Sequence, residues 1–117
     1  EYLKRLNQMS LHKKLTQSIA ERNVESYLDL LHDDFTAVFH KSGNSFTKEE
    51  WSSMVAGMMA NDKFVQESSR LVYENDEILV DHSFMSYPDN SREAVMLVAM
   101  IKDGKIIKME TGATLLD

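Results

Sequence analysis

Between Leu28 and Trp51 the chain changes its structural habit four times, and this passage constrains the fold more than any other. Leu28-Asp-Leu-Leu31 reads as a helix end, His32-Asp33-Asp34 as an acidic turn, and Phe35 to His40 as a short strand. Short acidic side chains favour such a turn because they bond their own backbone. Ser42-Gly43-Asn44 then supplies a tight turn. Thr47-Lys48-Glu49-Glu50 is a capping box: the Thr47 hydroxyl can accept from the N–H of Glu50, whose carboxylate can reach back to the N–H of Thr47. A helix from Lys48 to about Ala60 is expected, with Trp51, Met54, Val55, Met58 and Met59 on its apolar side. Gly57 weakens that helix by about 1 kcal/mol relative to Ala, which close packing against a sheet would explain.

Upstream, Leu3, Leu6, Leu11, Leu15 and Ile19 keep helical spacing as far as Glu21. Asn23 is placed to cap a second helix, Val24 to Leu31. Downstream the pattern is β: Phe64–Glu74, Glu77–Tyr87, Arg92–Lys102 and Lys105–Leu115. Asp103-Gly104 joins the last two and is a strong hairpin signal, because both residues tolerate positive φ. The expectation is one α+β domain over residues 1–117, with three helices packed on one face of a curved antiparallel sheet.

Composition narrows the function. Nineteen acidic residues against thirteen basic ones give a net charge of −6, which argues against nucleic acid, since phosphate binding needs clustered Lys and Arg. Lys4-Arg5 and Lys13-Lys14 read as solvated helix face. With no cysteine, disulfides, thiolate metal sites and Cys nucleophiles are excluded, and a cytoplasmic setting is expected. No apolar run approaches the ~20 residues of a membrane span. His32-Asp33-Asp34 makes a poor metal site, because consecutive side chains diverge and His12 has no neighbouring ligand. No metal and no cofactor are expected.

The order helix, helix, short strand, helix, long antiparallel meander resembles the nuclear transport factor 2-like superfamily, an α+β cone of the cystatin-like type. The resemblance rests on Leu30-Leu31-His32-Asp33-Asp34-Phe35, on the Ser42-Gly43 turn with Thr47-Lys48-Glu49-Glu50, and on Lys102-Asp103-Gly104-Lys105-Ile106. Within that superfamily the chain looks most like small bacterial polyketide-cyclase-like (SnoaL-like) members and the association domain of calmodulin-dependent kinase. The resemblance implies a pocket between helices and sheet. It does not imply one chemistry, because the superfamily hosts isomerases, dehydratases, cyclases, adaptors and assembly domains. The position matching the carboxylate base of ketosteroid isomerases holds Phe39, and the position of their helix tyrosine falls near Leu15. Isomerase chemistry of that kind is therefore not expected.

Along Glu77–Tyr87, alternation puts Ile78, Val80, His82, Phe84 and Ser86 on one face and Leu79, Asp81, Ser83, Met85 and Tyr87 on the other. The first face is the more apolar and is expected to point at the helices. That makes His82 the candidate acid/base, since imidazole titrates near neutral pH. The competing reading is a core histidine bonded to Tyr73, Glu110 or backbone. A His82–Glu110 pair is disfavoured, because alternation puts Glu110 on the less apolar face of its strand. His40, Trp51, Tyr73, Phe35 and Phe84 are candidate ligand contacts around a mostly apolar pocket for a small organic molecule. Cofactor-free proton transfer, isomerisation or cyclisation is the expected chemistry; a non-enzymatic assembly or adaptor module is the alternative. Ala94 to Ile101 is eight apolar residues without a break. A strand with one wet face would alternate, so both faces of this one should be covered. The expected cover is a second copy, giving a homodimer through the outer face of the sheet.

Overall fold

The chain is described by a computed structural model over residues 9–117; the expected helical positions Leu3 and Leu6 and the pair Lys4-Arg5 lie outside them. Ser10 caps helix α1 (Leu11–Ala20) by accepting from the N–H of Lys13. Asn23 caps α2 (Val24–Leu28) by accepting from Ser26. Strands β1 (Leu31–Phe39) and β2 (Asn44–Thr47) follow, then α3 (Lys48–Met59). Strands β3 (Val65–Glu74), β4 (Ile78–Ser86), β5 (Arg92–Lys102) and β6 (Lys105–Leu116) complete the described residues.

Where local chemistry decides, the structure follows the sequence. Both arms of the Thr47–Glu50 capping box form, at 3.2 and 2.9 Å. Asp103 and Gly104 take φ of 54° and 76°, the pair of positive values that a two-residue hairpin turn demands. Gly57 differs from expectation: a methyl group there would meet nothing within 4 Å, so no close packing offsets its cost to α3.

Tertiary pairing moves the other boundaries. The second helix stops at Leu28, not Leu31, because Leu31 is 1% exposed and pairs with Ile106 on β6. The Ile106 N–H donates to the Leu30 carbonyl at 2.8 Å. Asp33 and Asp34 therefore lie inside β1, at a break in register between Leu31 and Thr36, and not in a turn. The sheet order is β2-β1-β6-β5-β4-β3. From β3 to β6 it is the expected antiparallel meander, but β1 joins β6 in parallel, so the six-stranded sheet is mixed.

The helices cover one face. Leu15 of α1, Tyr27 of α2 and Trp51, Val55 and Met59 of α3 pack with Leu79, Leu97, Ala99, Ile106 and Met109 of the strands. Arg22, at φ 55°, clamps the connection after α3: its guanidinium donates to the carbonyls of Asn61 at 2.9 Å and Phe64 at 2.6 Å, and more weakly to those of Met59 and Asp62. Of these carbonyls Met59 ends the helix, where carbonyls lack intrahelical partners, and the other three belong to the connection itself.

The faces of β4 are the reverse of the sequence expectation. Leu79, Asp81, Ser83 and Met85 are buried against the helices, while Ile78, Val80, His82 and Phe84 face outward. Pairing fixes this register: Leu79 stands opposite Ala99 and Asp81 opposite Leu97, and both partners are core residues.

Candidate functional site

Between the helices and the inner faces of β4, β5 and β6 lies a cavity of about 420 Å³. Its walls are mostly apolar: Leu15 and Ile19 of α1, Trp51, Val55 and Met58 of α3, and Val95, Leu97 and Met109 of the sheet. Aromatic rings supply much of the surface, with Phe39 tilted against Trp51 at 5.1 Å between centroids and edge-on to Phe46 at 5.6 Å. The polar groups gather in two places.

The first is the floor. Asp81 is 3% exposed and lines the cavity. Its Oδ2 lies 3.4 Å from His12 Nε2, which also meets Ser69 Oγ at 3.0 Å. Ser83 Oγ donates to Ser69 Oγ at 3.0 Å. His12 is held in place by its helix: Glu74 of β3 accepts from the N–H groups of Leu11 and His12 at 3.1 and 3.2 Å. A carboxylate there satisfies orphan donors and complements the helix dipole. Burial pushes the Asp81 carboxyl above its ordinary range, and His12 and Ser69 offset part of that rise.

Tyr27 is the second polar group of the deep cavity. Its hydroxyl accepts from Trp51 Nε1 at 3.1 Å. Burial pushes its pKa up to about 12, and the nearby Asp81 charge adds to the rise, so Tyr27 stays protonated at any physiological pH. At the opposite end, the mouth, Lys41 is ion-paired with Glu93. Tyr87 beside them is raised by burial and by its hydrogen bond to Glu93. Asp81 and Met85, near that mouth, are four strand positions apart, roughly 13 Å at the usual rise.

Of the residues singled out from sequence, Trp51 lines the cavity. Phe35 does not: at 2% exposed it is core beneath the helices. His82 sits on the outer face, edge-on to Phe84 at 5.2 Å, and cannot serve as acid/base for a ligand on the other side of the sheet. Phe84 and Tyr73 share that outer surface, at 37% and 56% exposed. His40 is exposed and meets Glu110 at 3.1 Å; Lys108 and His40 together hold Glu110 below the usual carboxylate range. Sequence reasoning missed Asp81, His12 and Tyr27. The available signal was one charged residue in mid-strand, between Leu79 and Ser83, on the face judged less apolar. Among the described residues no three His, Cys, Asp or Glu side chains converge as a metal site, and no helix is long and apolar enough to cross a membrane.

The buried carboxyl gives a pH signature. A folded pKa raised above the unfolded value contributes stability at low pH that is lost as pH rises through the folded pKa. Asp81→Asn removes the cost of ionising that group while still accepting from His12. Its melting temperature should match wild type below the ordinary aspartate range and exceed it by a few degrees at neutral pH. Thermal melts across that range check this; an Asn variant less stable at neutral pH than at acid pH, relative to wild type, contradicts it.

No protein-family model matches the chain, and no curated protein matches it. Solved structures do. An NTF2-like protein of unknown function from Cytophaga hutchinsonii superposes with a TM-score of 0.70 at 12% identity, over 89% of this chain and 87% of that one. Another from Burkholderia xenovorans gives 0.70 at 13% identity, over 89% and 82%. A hypothetical protein with a ketosteroid isomerase-like fold from Catenulispora acidiphila, in complex with trimethylamine, gives 0.64 at 14% identity, over 88% and 84%. At such identities the likeness defines the fold: this is an α+β domain with the NTF2-like cone.

Proposed function

We propose that this single domain holds a small, mostly apolar organic molecule inside its cone. The observation that carries this reading is the cavity of about 420 Å³, apolar along its walls with a buried carboxyl at its floor. Binding sites typically combine such apolar walls with a few converging polar groups. A neighbour of the same fold is in complex with a small organic molecule, trimethylamine. Any reaction would be cofactor-free proton transfer, isomerisation or cyclisation, with Asp81 in the acid/base role first assigned to His82. A carboxyl raised by burial is tuned toward that work, and a positioned acid/base contributes about 10²–10⁴-fold in rate. The cysteine-free chain fits a cytoplasmic setting.

The experiment is to fill the cone. The neutral fluorescent probe 1-aminoanthracene should bind once per chain. Val95→Trp projects an indole from β5 into the cavity and should weaken that binding by about tenfold or more, a loss of about 1.4 kcal/mol. Fluorescence titration reads both; equal affinity in the two proteins would mean that the probe sits elsewhere.

A second reading is favoured by a separate observation. The outer face of the sheet exposes Phe84, Met96 and Met100, at 37%, 42% and 41%. A two-fold homodimer through that face would cover them, consistent with a polyketide-cyclase-like or kinase-association-like assembly. The two readings are compatible, because the cavity opens on the other side of the sheet.

A further inference from the structure

We infer that the ligand offers a neutral hydroxyl, an alcohol or phenol, to the floor of the cone, where Asp81 accepts a hydrogen bond from it and Tyr27 donates one to it. This rests on the cavity reading above and narrows it to a chemical class.

The argument is one of donors and acceptors. An indole N–H only donates. Because Trp51 Nε1 donates to the Tyr27 oxygen, the Tyr27 proton must point away from Trp51. Among the described residues the hydroxyl's one recorded hydrogen bond is the one it accepts from Trp51. Tyr27 lines the cavity and is 5% exposed. A buried donor without an acceptor is costly, so a ligand gains by presenting a lone pair there. Asp81 has the opposite need. Asp81 lines the same cavity, with one oxygen turned to His12 and a further hydrogen bond from Ser69, and a carboxylate has lone pairs for about four hydrogen bonds, so some stay open. It therefore calls for a donor. Both residues line the one cavity.

Only some ligand heads meet both needs. A carboxylate offers no donor to Asp81 and is repelled by it and by Glu93 at the mouth, where the cation Lys41 is already ion-paired. An ammonium donates to Asp81 but has no lone pair for Tyr27, and it competes with His12 for the same carboxylate. An ether or ketone accepts from Tyr27 but leaves Asp81 unmatched. A hydroxyl both donates and accepts through one atom. Behind it, Phe39, Phe46 and Val95 favour an apolar body.

The test holds the body constant and changes the head: indane, 2-methoxyindane, 2-indanol, 2-aminoindane and indane-2-carboxylate, titrated calorimetrically at neutral pH. 2-Indanol should bind tightest, about tenfold tighter than 2-methoxyindane, as expected for one added hydrogen bond to a charged acceptor. Asp81→Asn should remove most of that advantage, because an amide whose oxygen stays on His12 turns its N–H groups to the ligand and serves the methyl ether as well as the alcohol. Tyr27→Phe should weaken 2-indanol and 2-methoxyindane alike, by about fivefold, and leave indane unchanged. Indane is thus the check that each variant keeps its cavity; if Tyr27→Phe does not fold, the Asp81→Asn pair decides. The inference is overturned if 2-indanol is no tighter than its methyl ether, if 2-aminoindane outranks it, or if Asp81→Asn leaves the order intact. Should indane and all its derivatives fail to bind wild type, the cavity reading falls as well.

Discussion

Phe35→Ala is expected to cost about 3–5 kcal/mol of folding stability, the usual range for emptying a buried phenylalanine site. Phe35 is 2% exposed and among the largest fully buried side chains of the described residues. It projects from β1 beneath the helices, where no rearrangement of solvent can fill the space. A domain of this kind has only about 5–15 kcal/mol in hand, so urea unfolding should show a midpoint shift that is a large fraction of the whole. Phe35 lies outside the cavity lining, so the folded fraction of the variant should bind 1-aminoanthracene as wild type does. A stability loss under about 1 kcal/mol, or a loss of probe affinity matching that of Val95→Trp, would return Phe35 to the ligand site that its sequence first suggested.

The fate of Phe35 shows where the sequence is informative. Asn23, the Thr47–Glu50 box and Asp103-Gly104 act on backbone within three or four residues of themselves, so their chemistry can be read without the rest of the chain. They placed helix starts and the last hairpin correctly. The parallel β1–β6 pair joins residues some seventy positions apart, and no local signal specifies it. Strand β2 is four residues on a sheet edge, too short for a period to show. Arg22 looks like any surface cation until the four carbonyls it holds are brought to it by the fold.

The candidate site was misread for a physical reason. Counting apolar residues assumes that the buried face is the oilier one. On β4 the inner face carries Asp81 and Ser83, because it forms the polar floor of a cavity, and the outer face carries Ile78, Val80 and Phe84. The count therefore chose His82 over Asp81. The same outer face contributes Met96 and Met100 from β5, which is why Ala94 to Ile101 runs without alternation. The strand has one face in the core and one that remains apolar and uncovered by any helix of the described residues.

Met96→Lys follows from that uncovered face, and it should weaken self-association by about 100-fold or more. Met96 stands in mid-strand between His82 on β4 and Gly112 on β6, near the centre of the outer surface. At Gly112 an added methyl would meet nothing within 4 Å, so the face has a shallow hollow beside the methionine. A standard interface buries roughly 800 Å² per partner, and its centre is where truncation and charge cost most. A two-fold axis puts the new ammonium in both copies, and leaving a charge unpaired in an apolar interface costs several kcal/mol, about 3–5 in measured cases. The low end of that penalty already covers the expected 100-fold change, since about 2.8 kcal/mol is two decades. Within one chain Met96 is 42% exposed, so lysine there should leave the circular-dichroism spectrum and the cavity's probe affinity as they are. Sedimentation velocity at micromolar concentration should then show a dimer for wild type and a monomer for the variant. A wild type that sediments as a monomer, or a lysine variant that remains a dimer, would detach the apolar outer face from self-association and leave the unbroken run of β5 without a partner.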